Sequence, residues 1–282
     1  MVHEAATSGY SRDTDRYHRG RPMYHPALVQ RVAERYGQGT VVELGAGTGI
    51  FTRQLVDLGV PVIAVEPVVG MRTMLHEAVP EADVRVGAAE NIPMDDHTAD
   101  AVIASQSFHW FDAEPALDEI YRVLRLGGHL VTVWNVRDES VDWVSEVTQI
   151  VDRHAGGVPR YRDMTWRRAI NADDRFGAVD EWRIDNPQPT DIEGIVDRML
   201  STSFIAALSR ERQDAVAAEI RSVVSGLAPP IEFPYLCQLQ AWRALEIDET
   251  VPSADEADGD ATLKARAADH ADHPEAGVSS DN

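Results

Sequence analysis

Apolar residues along this chain fall into two alternating patterns. Short continuous runs occupy residues 41–44, 60–67, 82–87, 100–106 and 129–134, each four to eight residues long. Such runs suit strands of a parallel sheet covered on both faces. Between them apolar residues recur at helical spacing. Leu28, Val29 and Val32 share a face in 27–36; Ile50, Phe51, Leu55 and Leu58 do so after the first run; Met71, Met74 and Leu75 do so in 68–79; a fourth helix spans 115–124. Pro22 and Pro26 precede the first of these helices and Gly37-Gln38-Gly39 ends it. Strand and helix alternate, which predicts an α/β fold. Beyond Asn135 the pattern thins. Helices are predicted at 141–154, 191–199 and 210–224, and strands at 176–184 and 231–245. After Ile247 the composition turns to Ala, Asp and Glu with few apolar residues, which predicts disorder over the acidic tail 248–282.

The first run leads into Gly45-Ala46-Gly47-Thr48-Gly49. Glycines at alternate positions permit positive φ and carry no Cβ to hold a ligand away. A helix that starts at the carboxyl edge of a parallel strand is where open α/β sheets bind small ligands. The spacing G-x-G-x-G differs from the dinucleotide pattern G-x-G-x-x-G, because Ile50 stands where the third glycine belongs. Glu43 lies two residues before the first glycine. Glu66 ends the second strand, 23 positions after Glu43. That is close to the roughly 20 expected for a carboxylate that accepts hydrogen bonds from a ribose.

These features resemble the class I S-adenosylmethionine (SAM) dependent methyltransferases. In that family the glycine turn holds the amino-acid end of SAM, which implies cofactor roles for Glu43, Gly45, Ala46, Gly47, Gly49 and Glu66. Residues 87–94 (Gly-Ala-Ala-Glu-Asn-Ile-Pro-Met) resemble the G-x-A-E-x-[IL]-P loop that covers the adenine. Many relatives have Asp where this chain has Ala88. Adenine recognition then falls to backbone groups of Ala88 and Ala89 and to walls such as Ile92, while Glu90 caps or braces the loop. Arg122-Val123-Leu124-Arg125-Leu126-Gly127-Gly128 is similar to the R-V-L-[KR]-P-G-G turn before strand five, with Leu126 in place of proline. Gln106-Ser107-Phe108-His109-Trp110-Phe111, with residues 17–22, looks like the methyltransferase type 11 group and its small-molecule, trans-aconitate methyltransferase-like branch.

The resemblance covers about half the chain. It implies a Rossmann-like, seven-stranded, mostly parallel sheet with helices on both faces and an antiparallel last strand. It also implies SAM as cofactor and an arm or lid over residues 1–26. The methyltransferase domain would span 27–247, with its core at 40–135 and substrate-covering insertions at 136–230.

Charge narrows the partners. The formal net charge is −21. Phosphate contacts need Lys and Arg, so this balance argues against nucleic acid and anionic membranes; a small-molecule partner is what the resemblance implies. It says nothing of oligomeric state. No apolar run reaches the roughly 18 residues that span a bilayer, and residues 1–20 lack an apolar signal core. The expectation is a cytoplasmic protein. The single cysteine, Cys237, lies in an apolar stretch and reads as a buried structural thiol.

Methyl transfer from a sulfonium is a direct displacement, so alignment and water exclusion supply much of the rate. A base is needed only where the acceptor must lose a proton. His109, at the rim of strand four, is the candidate base; its other reading is a packed histidine. Gln106 is a candidate cofactor or orienting residue. Trp110, Asn135, Arg137, Tyr17 and Arg21 are candidate substrate contacts, each with a packing, surface or helix-start alternative. Asp95-Asp96-His97 reads as a solvated turn, and no histidine spacing suggests a metal. The resemblance implies a SAM-dependent methyltransferase acting on a carboxylate or hydroxyl oxygen of a small molecule. Alternatives are C-methylation of a quinone- or lipid-like metabolite, or a non-catalytic SAM-binding protein, suggested by Ala88 and Leu126. A nucleotide-dependent oxidoreductase is disfavoured by Ile50.

Overall fold

Seven strands form one sheet in the order β3-β2-β1-β4-β5-β9-β6. They are β1 (Val41–Leu44), β2 (Val62–Val65), β3 (Asp83–Arg85), β4 (Ala99–Ser105), β5 (Leu124–Arg137), β6 (Phe176–Asp185) and β9 (Tyr235–Ala244). The first five are parallel neighbours, while β9 runs antiparallel to both β5 and β6. This computed structural model describes residues 21–246. Residues 1–20, with Tyr17, and the tail 248–282 lie outside the described residues.

Each parallel strand sends alternate side chains to opposite faces. Val41, Ile103 and Val131 meet α1 (Pro26–Tyr36), α2 (Ile50–Val56) and α3 (Val69–Ala78) through Leu28, Val32, Phe51, Leu55 and Leu75. Val42, Val102, Leu130 and Trp134 meet α4 (Ala113–Val123) and α6 (Thr165–Ala172) through Leu117, Ile120, Trp166 and Ile170. Burial of the larger of these side chains is worth about 2 kcal/mol each. A separate apolar cluster joins α5 (Asp142–Asp152), α7 (Ile192–Leu200), α8 (Ser203–Ala206) and α9 (Arg210–Val224) to β8 (Ile231–Phe233), which pairs antiparallel with β7 (Gln188–Thr190) in a two-stranded sheet.

Local chemistry explains the boundaries. The His25 ring nitrogen accepts from Ala27 N–H and Pro26 opens α1; Gly37 N–H closes it on Ala33 O. The predicted strand 231–245 is two strands, because Pro234 has no N–H to continue a ladder. Strand β5 begins earlier than its apolar run, at Leu124, and carries Gly127-Gly128 past a register shift against β4. Leu58 falls beyond the end of α2 and is exposed. Helix α6 had no reading in the sequence. Asp112 stands at the N-cap of α4, but its side chain makes no cap hydrogen bond.

Gly49 sits at φ +85°, and a Cβ there would meet Leu75 Cδ1 at 2.4 Å. Gly59 has φ +81° with nothing within 4 Å. Gly49→Ala is therefore expected to lower stability by about 3 kcal/mol through strain and clash, and Gly59→Ala by about 1 kcal/mol through strain alone. Urea denaturation midpoints of the two variants check the difference.

Candidate active site

The carboxyl ends of β1, β2 and β4 open onto a cleft of about 1000 Å³. Its floor is the glycine turn. Gly45 N–H donates to Val65 O at 2.9 Å, tying the turn to the end of β2. Gly45 has φ +66° and passes so close to Ser107 that a Cβ would stand 2.8 Å from Ser107 Cβ. Ser107 Oγ donates to Leu44 O at 2.7 Å and closes the turn against the end of β4.

Glu66 enters the same cleft while only 4% exposed. Its two oxygens accept from Gly47 N–H and Val68 N–H, both at 2.8 Å. Burial raises its pKa; the two backbone donors and then Arg72 oppose that rise. Each oxygen keeps lone pairs for a further donor, which suits a ribose diol. The remaining wall comes from Ala88, Ala89 and Glu90, with Pro67, Val68 and Met71 opposite. Glu90 also accepts from Asp112 N–H at 3.0 Å, so the carboxylate braces the loop against α4. A Cβ on Gly47 would project into open space, with only Met71 Sδ within 4 Å. The cleft therefore offers a bare backbone cradle, a paired-acceptor carboxylate and an apolar slot, and this donor set fits SAM.

Glu43 does not line the cleft. It is fully buried beneath it, accepting hydrogen bonds from Thr52 Oγ1 at 2.6 Å and from Ser105 Oγ. The carboxylate locks β1 to α2 and β4, so it supports the cradle and has no surface to offer a ligand. Burial drives its pKa up to about 7; the two hydroxyl donors lower it and Glu66 adds to the rise.

A second cavity of about 800 Å³ adjoins the first, and Arg21, Pro22 and Gln106 line both. Gln106 holds φ +54°, unusual for a side chain with a Cβ, and donates from Nε2 to Asn135 O at 2.8 Å. Asn135 and Arg137 at the end of β5 line the second cavity, as do Arg160, Tyr161, Arg162, Arg198 and Tyr235. Trp110 lines the first, beside Phe111 and Tyr24. Arg21, Gln106, Trp110, Asn135 and Arg137 thus converge on two joined cavities. Tyr17 lies outside the described residues.

His109 lines neither cavity. Its ring packs 4.8 Å from Trp110 and 5.6 Å from Trp134, and Nδ1 is buried with no hydrogen-bond partner among the described residues. Burial first, then the charges of Arg21 and Arg160, lower its pKa to about 3. A base that weak, turned away from the cavities, does not serve as the general base the sequence suggested. Sequence reasoning also passed over Arg160, Arg162, Arg198, Tyr161 and Tyr235. Their local sequence carries no motif, and only the fold of the helical cluster brings them to β5.

The order of strands, with an antiparallel strand in a parallel sheet and a glycine cradle facing a carboxylate, is the architecture of a nucleoside-binding transferase. Residues 42–132 match the family described as methyltransferase domain. An uncharacterised methyltransferase of Mycobacterium tuberculosis is 36% identical over 188 residues, 67% of this chain and 74% of the relative. An uncharacterised methyltransferase-like protein of Schizosaccharomyces pombe is 31% identical over 227 residues, 79% and 88% of the two chains. The structure of a putative type II methyltransferase from Anaeromyxobacter dehalogenans shares the fold, with a TM-score of 0.53 and 23% identity over 80% of this chain and 97% of that one. The chain belongs to the SAM-dependent methyltransferases. Among the described residues no helix is long and apolar enough to cross a membrane.

Gly47→Asp, at φ +60°, places a carboxylate in the cradle beside Glu66 with little steric cost to the fold. It is expected to weaken SAM binding at least about a hundredfold, with a melting temperature within a few degrees of wild type, by isothermal titration and calorimetry. Glu43 gives a pH signature. Its pKa is raised in the folded state, so the folded state holds a proton that the unfolded state has lost between pH ~4.5 and ~7. Its contribution to stability falls as pH rises through that window. Glu43→Gln should remove this slope and gain up to about 3 kcal/mol relative to wild type at pH 8 compared with pH 4, read from denaturation at several pH values.

Proposed function

We propose that this methyltransferase transfers the methyl group of SAM to an oxygen of a small anionic acceptor held in the second cavity. Gly45, Ala46, Gly47 and Gly49 form the donor's cradle. Glu66 serves the ribose, Ala88, Ala89 and Glu90 the base, and Gln106 the boundary with the acceptor. One observation carries the reading: the cavity that continues the donor cleft is lined by Arg21, Arg137, Arg160, Arg162 and Arg198. Asp152 pairs with Arg160 and Arg162, and Glu139 pairs with Arg162. Five guanidinium groups thus gather at one cavity in a chain of net charge −21.

Arg137 and Arg198 are placed for a ligand. Arg137 donates to the neutral Thr202 hydroxyl at a long 3.4 Å, and burial lowers its pKa, with Tyr235 and Asp152 opposing that fall and the charge of Arg21 adding to it. Arg198 stacks over Phe233 and Tyr235, 5.8 and 5.9 Å from the ring centroids, and its buried Nη1 has no hydrogen-bond partner among the described residues. An oxyanion would satisfy both, and guanidinium groups match it in bidentate geometry. A quinone- or lipid-like acceptor would leave these charges desolvated and unpaired, a cost of several kcal/mol.

When bound, SAM supplies an electrophilic methyl on a positively charged sulfur. The chain's own work is then alignment. Arginines hold the acceptor, while Trp110, Phe111 and Tyr24 exclude water around the junction. A carboxylate oxygen is already a nucleophile and loses no proton, which accords with His109 standing apart from both cavities.

Incubation with labelled SAM and a panel of di- and tricarboxylates, phosphate esters and their neutral methyl esters tests the reading. Product is expected on the anions and not on the neutral esters. Arg137→Gln should raise KM for the anion by about a hundredfold while SAM affinity stays within about threefold. Methylation of neutral quinones or lipids in preference to anions overturns the proposal.

A further inference from the structure

Residues 21–25 cross the junction of the two cavities without forming helix or strand of their own. Arg21 and Pro22 wall both cavities and Tyr24 walls the donor cleft. A segment without a ladder must satisfy its backbone polar groups elsewhere. Side chains do so here. Asn135 Nδ2 donates to Pro22 O at 3.3 Å and to Met23 O at 3.1 Å; Asn186 Nδ2 donates to Met23 O at 2.8 Å. Gln54 accepts from Tyr24 N–H at 3.1 Å and donates to Tyr24 O at 2.9 Å. Cys237 Sγ accepts from His25 N–H at 3.3 Å.

The three residues on the sheet side are joined to one another. Cys237 Sγ donates to Asn135 Oδ1 at 2.7 Å, and Asn186 Nδ2 donates to the same oxygen at 2.9 Å. All three are buried, Cys237 completely. They come from β5, from the turn after β6 and from β9, so the network spans the antiparallel edge of the sheet. The backbone of Asn135 meanwhile accepts from Gln106, the other shared wall of the cavities. The network therefore reaches both sides of the junction.

We infer that Asn135, Asn186 and Cys237 are positioning residues for methyl transfer: they form a latch that holds strap residues 22–25 down over the junction, and release of the strap gates exchange of the donor product. The inference rests on the first cavity being the donor cleft. The thiol donates only while protonated, and burial pushes Cys237 up to about 11, so the latch stays formed across the physiological range. A serine can keep both hydrogen bonds, one as donor and one as acceptor; an alanine keeps neither.

Two measurements test this. The first is dissociation of S-adenosylhomocysteine followed by tryptophan fluorescence in a stopped-flow instrument. Cys237→Ala and Asn186→Ala are expected to speed release about tenfold or more, and Cys237→Ser to stay within about threefold of wild type. The second uses the wild-type chain, whose only cysteine is Cys237. Its reaction with Ellman's reagent is expected to slow at least about tenfold when S-adenosylhomocysteine saturates the site, since the strap that covers the ligand also covers the thiol. A folded Cys237→Ala variant that releases ligand at the wild-type rate overturns the latch. Thiol reactivity indifferent to ligand overturns it too, and decides the matter if the variants fail to fold. Absence of any S-adenosylhomocysteine binding to the wild type overturns the donor reading and the latch together. Normal binding with unchanged release overturns the latch alone.

Discussion

A single buried carboxylate sets the geometry on which the donor side depends. Glu43 bridges the Thr52 and Ser105 hydroxyls beneath the glycine turn, so β1, α2 and β4 meet at one fully buried group. An unpaired carboxylate in that place would cost several kcal/mol, whereas one with two hydroxyl donors fixes three elements relative to each other. The glycines above can then trace left-handed backbone against Val65 O and Ser107 with no slack. Glu66 extends the same logic one strand further, with both oxygens held by backbone N–H groups.

The second cavity is built on another principle. Its arginines come from β5, from the loop around the short 3-10 turn Tyr161–Asp163 and from α7. No element crosses the whole cavity, and charge balance replaces a ladder as the organising term. The chain as a whole carries a formal net charge of −21, so a cavity lined by five arginines stands out electrostatically. Field lines focus into such a concavity and favour the approach of an anion.

This division explains how far the sequence could be read. The turn at Gly45, the acid at Glu66, the loop at Ala88 and the strand-five turn at Gly127 are local patterns whose spacing follows from strand–turn–helix geometry. Their elements appear where that spacing put them. Three helices beyond β5 (α5, α7 and α9) were also legible from apolar period to within two residues, whereas α6 and α8 were not. What no period encodes is the company a side chain keeps. His109 lies in a turn at the rim of β4, as its position suggested, yet Trp134 from β5 packs against its ring. Glu43 lies next to the glycine turn in sequence but points below it. Arg160, Arg162 and Arg198 meet only because α5, α7 and α9 share an apolar cluster, a tertiary fact without a local signature.

The shared wall of the two cavities has a consequence for how such a protein can diversify. Arg21, Pro22 and Gln106 line both cavities, so a change at any of them alters the shape of both at once. Arg160, Arg162 and Arg198 line the second cavity alone and belong to a loop and a helix outside the sheet. Substitution at those three positions reshapes the second cavity while every wall of the first keeps its residues.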